Sequence, residues 1–209
     1  MQTTIDIHQV REIVASFVGE GPSALQEDTD IGRTAVRSSV LLHRMYARLA
    51  EAGLKVPAGR RPRTFGELIA MTYEAAPAPS AGPRAPAPSA GTAAAVAVGI
   101  DMEDVANLPA AADYRTDPFY TQNFSPAEIA YCVLQADPRR SFAGRFCAKE
   151  AVVKADNGYR DVPFNRLEIE TDSAGRPGFG DFALSISHTD DKVVAVAVRI
   201  TPPTGIVRT

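Results

Sequence analysis

Ser141 to Asp156 reads S-F-A-G-R-F-C-A-K-E-A-V-V-K-A-D, and its spacing predicts a helix. Phe142, Phe146 and Val153 recur at helical intervals as an apolar stripe, while Glu150 and Lys154 stand four apart and project from neighbouring turns, with Lys149 beside them. One face is expected to pack and the other to carry charge. A carboxylate beside two ammonium groups suits an ion pair, and it equally suits a magnesium ion with phosphates.

The flanks of this helix alternate between strand and helix patterns. A-A-A-V-A-V-G-I-D-M-E, ending at Glu103, reads as a strand that starts apolar and finishes in two acids, and Asp101 and Glu103, two apart, share one of its faces. Ser125-Pro126-Ala127-Glu128 combines a capping box with proline at the first helical position, so a helix starts there with Ile129, Cys132 and Val133 inward. Downstream, the central helix should stop near Asn157-Gly158. R-L-E-I-E-T-D and F-A-L-S-I-S-H alternate as strands around a S-A-G-R-P-G turn, and His188 to Asp191 turns into a buried strand, K-V-V-A-V-A-V-R-I.

Composition divides the chain. Between Ala75 and Ala95 it runs A-P-A-P-S-A-G-P-R-A-P-A-P-S-A-G-T, with almost no side chain that burial could stabilise, which marks a semi-extended linker. The expected domains are therefore 1–75, a linker at 76–94, 95–201, and a loose tail at 202–209. The 209 residues carry 22 basic and 25 acidic side chains, net −3, which gives no broad polycation for nucleic acid or anionic lipid. No run approaches the roughly 20 apolar residues of a membrane span, and M-Q-T-T-I-D-I-H lacks a signal-peptide pattern, so a cytoplasmic protein is expected. Cys132 and Cys147 lack zinc spacing and read as buried, reduced residues.

Residues 1–75 read as all-helical. Ile5, Val10, Ile13, Val14, Phe17 and Val18 form a first stripe ending at Gly19-Glu20-Gly21-Pro22. Ser39 to Ala52 forms a second helix on Val40, Leu42, Met45, Tyr46 and Leu49, and Thr64-Phe65-Gly66-Glu67 opens a third. With the D-T-D-I loop between the first two helices, this order resembles an acyl or peptidyl carrier protein. The resemblance makes Ser39 the possible phosphopantetheine acceptor; the competing reading is a helix N-cap. The segment departs from the family in lacking the acid before the serine and in carrying His43, Arg44 and Arg48 on its second helix.

The second module resembles the 4'-phosphopantetheinyl transferases of the holo-acyl-carrier-protein synthase type and the related domain of fungal fatty acid synthases. The motifs that carry the resemblance are V-G-I-D-M-E at 98–103, N-F-S-P-A-E-I-A-Y-C at 123–132, D-P-R-R-S-F-A-G-R-F-C-A-K-E-A-V-V-K at 137–154, I-E at 169–170, G-R-P at 175–177 and S-I-S-H at 185–188. The implied fold is α+β, with an antiparallel sheet and a long helix. The implied reaction moves phosphopantetheine from coenzyme A to a carrier serine, releasing 3',5'-ADP. Asp101 and Glu150 would bind magnesium with Glu103 as the third ligand, Asp104 being the alternative. Lys154 would clamp phosphate and Glu150 would act as general base.

Lys149, Ser187 and His188 would contact coenzyme A, the other readings being a surface ion pair for Lys149 and a turn-capping imidazole for His188. Arg145 would help a carrier dock, or be solvated. The resemblance also implies a homotrimer with the coenzyme A site between protomers, serving the chain's own carrier-like module or a separate carrier. Two further readings compete: a non-catalytic transferase-like scaffold with a carrier-like docking or regulatory module, and a self-modifying carrier fused to its activator.

Overall fold

The computed structural model describes residues 6–31, 38–54, 56, 62–73 and 95–201, so the expected linker at 76–94 and tail at 202–209 fall outside the described residues. Helix α1 (Ile7–Val18) is capped by the Asp6 side chain, which accepts from His8 N, and ends where Gly19 turns left-handed at φ 75°. Helix α2 (Ser39–Glu51) follows, capped by Ser38, whose Oγ accepts from Leu41 N. Ser39 is therefore the first helical residue and its neighbour is the cap. Helix α3 (Phe65–Tyr73) completes the group. The D-T-D-I loop is tied to its start, with Ile31 N donating to Arg63 O and Phe65 N to Thr29 O, both at 2.9 Å. Val10, Val14, Leu25, Ile31, Met45, Leu49, Phe65 and Leu68 close a small core among these pieces.

The second part is one antiparallel sheet of β1 (Ala95–Asp104), β2 (Glu170–Thr171), β3 (Pro177–Phe179), β4 (Phe182–His188) and β5 (Lys192–Thr201), in the order β1-β5-β4-β3-β2. Helices α4 (Pro118–Asn123), α5 (Pro126–Cys132) and α6 (Pro138–Ala155) cover it, and α6 lies across β1, β5 and β4. The R-L-E-I-E-T-D strand reading is corrected. Only Glu170–Thr171 pairs: Leu167 and Ile169 alternate into the core with Glu168 and Glu170 exposed, but β3 meets this segment only at Glu170 and Thr171. Within the expected G-R-P turn, Pro177 already begins β3.

The central helix is also more enclosed than its stripe suggests. Phe142 to Val153 are all buried, including Arg145, Lys149 and Glu150. Tyr120 and Phe124 pack against its Phe142 and Phe146. Helix α2 joins both cores: Leu42, Met45 and Leu49 face the small one, whereas Val40 and Ala47 belong to the large one. On the other side of the sheet, Val96, Val98, Ile100 and Met102 of the edge strand β1 are 57–65% exposed.

Candidate active site

Gly99 decides how closely α6 approaches β1. A Cβ there would stand 1.9 Å from Ala151 O and 2.7 Å from Ala155 N, so only glycine lets the helix backbone press onto the strand. This contact brings the C-terminal half of α6 over Asp101 and Glu103. Alternation puts both acids on the inner face of β1, at 8% and 4% exposure, opposite Ala195 and Val193 of β5. Lys154 Nζ donates to Asp101 Oδ1 at 2.7 Å and to Ile100 O at 3.1 Å.

Glu150, 2% exposed, stands one turn before Lys154 on the same helix. The buried Cys147 thiol marks the convergence: burial pushes its pKa up, and the charges of Asp101, Glu103 and Glu150 push it further.

Glu103 is the most elaborately held of these acids. Its Oε1 accepts from Asp104 N at 3.0 Å and Asn107 Nδ2 at 2.6 Å, and its Oε2 accepts from Ser38 Oγ at 2.5 Å. Asp104, on the opposite face of the strand, pairs with Lys192 at the surface.

Among the described residues, Asp101 Oδ2 is buried with no hydrogen-bond partner. An orphaned carboxylate oxygen beside two further acids fits a hard cation, because burying it unpaired costs about 1–3 kcal/mol or more that a metal would offset. Among the described residues no three His, Cys, Asp or Glu side chains already form a metal cage.

Two expected site residues are corrected. Lys149 does not reach toward phosphate. It is fully buried on another side of α6, donating to Glu128 Oε2 at 2.6 Å, Asn123 O at 2.8 Å and Phe164 O at 2.9 Å. Burial pulls its pKa down to about 8 against the opposing pull of Glu128. The capping-box Glu128 also accepts from Ser125 N and Ile169 N, so this ion pair ties α5, α6 and the chain before β2 together.

Arg145 is not solvated: it is 7% exposed. It stacks over Tyr131 at 4.0 Å and donates to Thr171 Oγ1 at 2.8 Å and Ser141 Oγ at 3.3 Å. With Arg140 and His188 it lines a cavity of about 350 Å³, one and a half turns or more along α6 from Glu150. Ser187 is exposed on β4 opposite Val194.

The sequence model of the 4'-phosphopantetheinyl transferase superfamily (ACPS) matches residues 97–197. The chain is 37% identical over 117 residues to the holo-[acyl-carrier-protein] synthase of Clostridium acetobutylicum, covering 94% of that protein and 48% of this one. It belongs to the 4'-phosphopantetheinyl transferase superfamily. The fatty acid synthase subunit alpha of Saccharomyces cerevisiae is 33% identical over 119 residues, which is 48% of this chain and 6% of that subunit. The Bacillus anthracis holo-(acyl-carrier-protein) synthase, solved with CoA (3',5'-ADP), matches 52% of this chain and 99% of its own at 26% identity and TM-score 0.42. The transferase match spans β1 through most of β5, and so contains Asp101, Glu103, Glu150 and Lys154.

Asn107, Asn123 and Ser38 escaped the sequence reading. Only Ser38 had a signal, as the neighbour of a candidate serine at a helix start. The two asparagines act through contacts with α2 that no local spacing encodes.

Proposed function

We propose that this chain transfers 4'-phosphopantetheine from coenzyme A to a serine of an acyl or peptidyl carrier protein, releasing 3',5'-ADP. The observation that carries this reading is the transferase match over residues 97–197, within which the buried Asp101, Glu103 and Glu150 lie and the exposed Lys154 pairs with Asp101. Asp101 and Glu150 would hold magnesium, leaving Glu103 to its hydroxyl partner. When bound, the ion neutralises charge growing on the diphosphate oxygens. Lys154 supplies a second positive charge beside Asp101 and needs no proton transfer to do so.

The carrier serine must lose its proton as it attacks the β-phosphorus. Glu103 already accepts a serine hydroxyl at 2.5 Å, so the base role moves to it from Glu150. Arg140, Arg145 and His188 suit the anionic nucleotide half of coenzyme A, in place of Lys149. The exposed apolar face of β1 supports assembly of several copies, consistent with a homotrimer whose coenzyme A site lies between protomers. No described helix is long and apolar enough to cross a membrane, which fits the cytoplasmic placement.

The test incubates the chain with coenzyme A, magnesium and a separately purified bacterial acyl carrier protein, following carrier mass and 3',5'-ADP release. Asp101→Ala and Glu150→Ala should each slow transfer by at least about 100-fold, the effect of several kcal/mol of lost charge stabilisation. Mixing the two inactive chains should restore part of the rate if protomers share a site. Undiminished transfer by either variant would overturn the assignment.

A further inference from the structure

The helical part of the chain is seated on the transferase part by one helix, and a serine stands where that helix meets the carboxylates. Val40 and Ala47 of α2 enter the large core. The His43 ring packs against Phe146 and Phe164 at centroid distances of 5.2 and 4.7 Å, with its Nδ1 2.5 Å from Asn123 Oδ1. Asn123 Nδ2 donates to Phe119 O at 2.7 Å, which leaves Oδ1 as acceptor and assigns the proton to His43 Nδ1. Arg44 Nη1 donates to Asn107 O at 2.8 Å, and the side chain of that same Asn107 donates to Glu103. One residue therefore links the seat of the helix to the carboxylate it faces. At the N-terminus of α2, Ser38 Oγ donates to Glu103 Oε2 at 2.5 Å while accepting from Leu41 N at a longer 3.3 Å.

We propose that Ser38 is a phosphopantetheine acceptor, so that the chain modifies its own helical module. The inference rests on the transferase reading and supplies that site with a substrate. It replaces Ser39, the first residue inside the helix, with the residue that caps it. A serine hydroxyl hydrogen-bonded to a buried carboxylate is the nucleophile–base arrangement that hydroxyl activation requires.

The step balances. Ser38 Oγ bonds to the β-phosphorus of coenzyme A, and the bond from that phosphorus to the bridging oxygen breaks. 3',5'-ADP leaves with the electron pair, and the hydroxyl proton passes along the existing hydrogen bond to Glu103. Helix α2 suits this cis arrangement because His43 and Arg44 meet an amide oxygen and a backbone carbonyl oxygen of the same chain. Joined by a tether, the module needs little intrinsic affinity, because effective concentration stands in for binding strength.

The full chain is incubated with coenzyme A and magnesium and its intact mass measured, beside a parallel sample containing a separate acyl carrier protein. Trypsin cleaves after Arg37 and Arg44, so fragmentation of the released peptide distinguishes Ser38 from Ser39 in the unaltered protein. The expected result is a gain of one phosphopantetheinyl group on Ser38, lost in Ser38→Ala and kept in Ser39→Ala. Over any dilution that leaves the assembly intact in sedimentation, the rate per chain should not change. Arg44→Ala, which loosens the seat without touching the carboxylates, should slow self-modification about tenfold, the effect of one hydrogen bond from a charged donor.

Transfer to the separate carrier with no gain on the chain itself would overturn this inference and leave the transferase reading standing; α2 would then be a plug over the site. Modification at Ser39 would also overturn it. No transfer to either acceptor would remove the transferase reading and this inference together.

Discussion

Gly99→Ala tests the idea that one close backbone approach builds the active site. The new Cβ would lie 1.9 Å from Ala151 O, whereas an ordinary contact begins at 3.4 Å, so α6 and β1 must separate by about 1.5 Å. The obstacle is helix backbone rather than a side-chain tip, so no rotamer change relieves it. Overpacking of this kind costs typically 1–3 kcal/mol and occasionally more. At about 3 kcal/mol, a chain of this size should lose roughly 6–12 °C in Tm.

The catalytic loss should exceed what instability explains. A separation of 1.5 Å stretches the 2.7 Å contact from Lys154 to Asp101 beyond hydrogen-bond range and displaces Glu150 with the same helix. Misplacement by about 1 Å can reduce a rate by about 100-fold. Thermal unfolding, followed by phosphopantetheine transfer assayed well below the lowered Tm, separates the two effects. A variant with unaltered Tm, or one that is destabilised yet fully active while folded, would refute the reasoning.

Further outcomes follow from particular contacts. Lys149→Met should destabilise the fold by about 3–5 kcal/mol because it strands the Glu128 carboxylate in the core, and adding Glu128→Gln should recover part of this in urea unfolding. Unchanged stability with a raised KM for coenzyme A would instead restore the phosphate-contact role. The Cys147 thiol is held above its ordinary 9.0 when folded, so the unfolded chain loses that proton first, and stability should fall as pH rises above about 9. Cys147→Ala should flatten that slope in denaturant titrations, and an unchanged slope would assign it to other groups. Val98→Glu, on the exposed apolar face of β1, should dissociate the assembly in sedimentation and slow transfer; a wild-type chain that sediments as a monomer would discard the shared-site reading.

Much of the fold was legible because its signals are local. The apolar periods of α1, α2 and α6, the capping box at Ser125 and the alternation of β1 and β5 each depend on residues within a few positions of one another, as do the elements they specify. Strand alternation alone put Asp101 and Glu103 on one face, and helical spacing alone put Glu150 beside Lys154. The short pieces were harder. The two paired residues of β2 hold their place through β3, and the inward alternation of Leu167 and Ile169 does not by itself say how few residues there pair.

What the amino-acid order determined, then, was the set of elements, the family motifs and the acids able to hold a cation. Only the tertiary structure decided which charges meet. It gave Lys149 to Glu128, put Arg145 in the wall of a cavity, and brought Ser38 to Glu103. The physical reason is range. Periodicity assigns a side chain to a face, but partners 21, 26 and 65 positions away along the chain are selected by how closely α6 settles on Gly99 and how α2 is seated against Asn107 and Asn123.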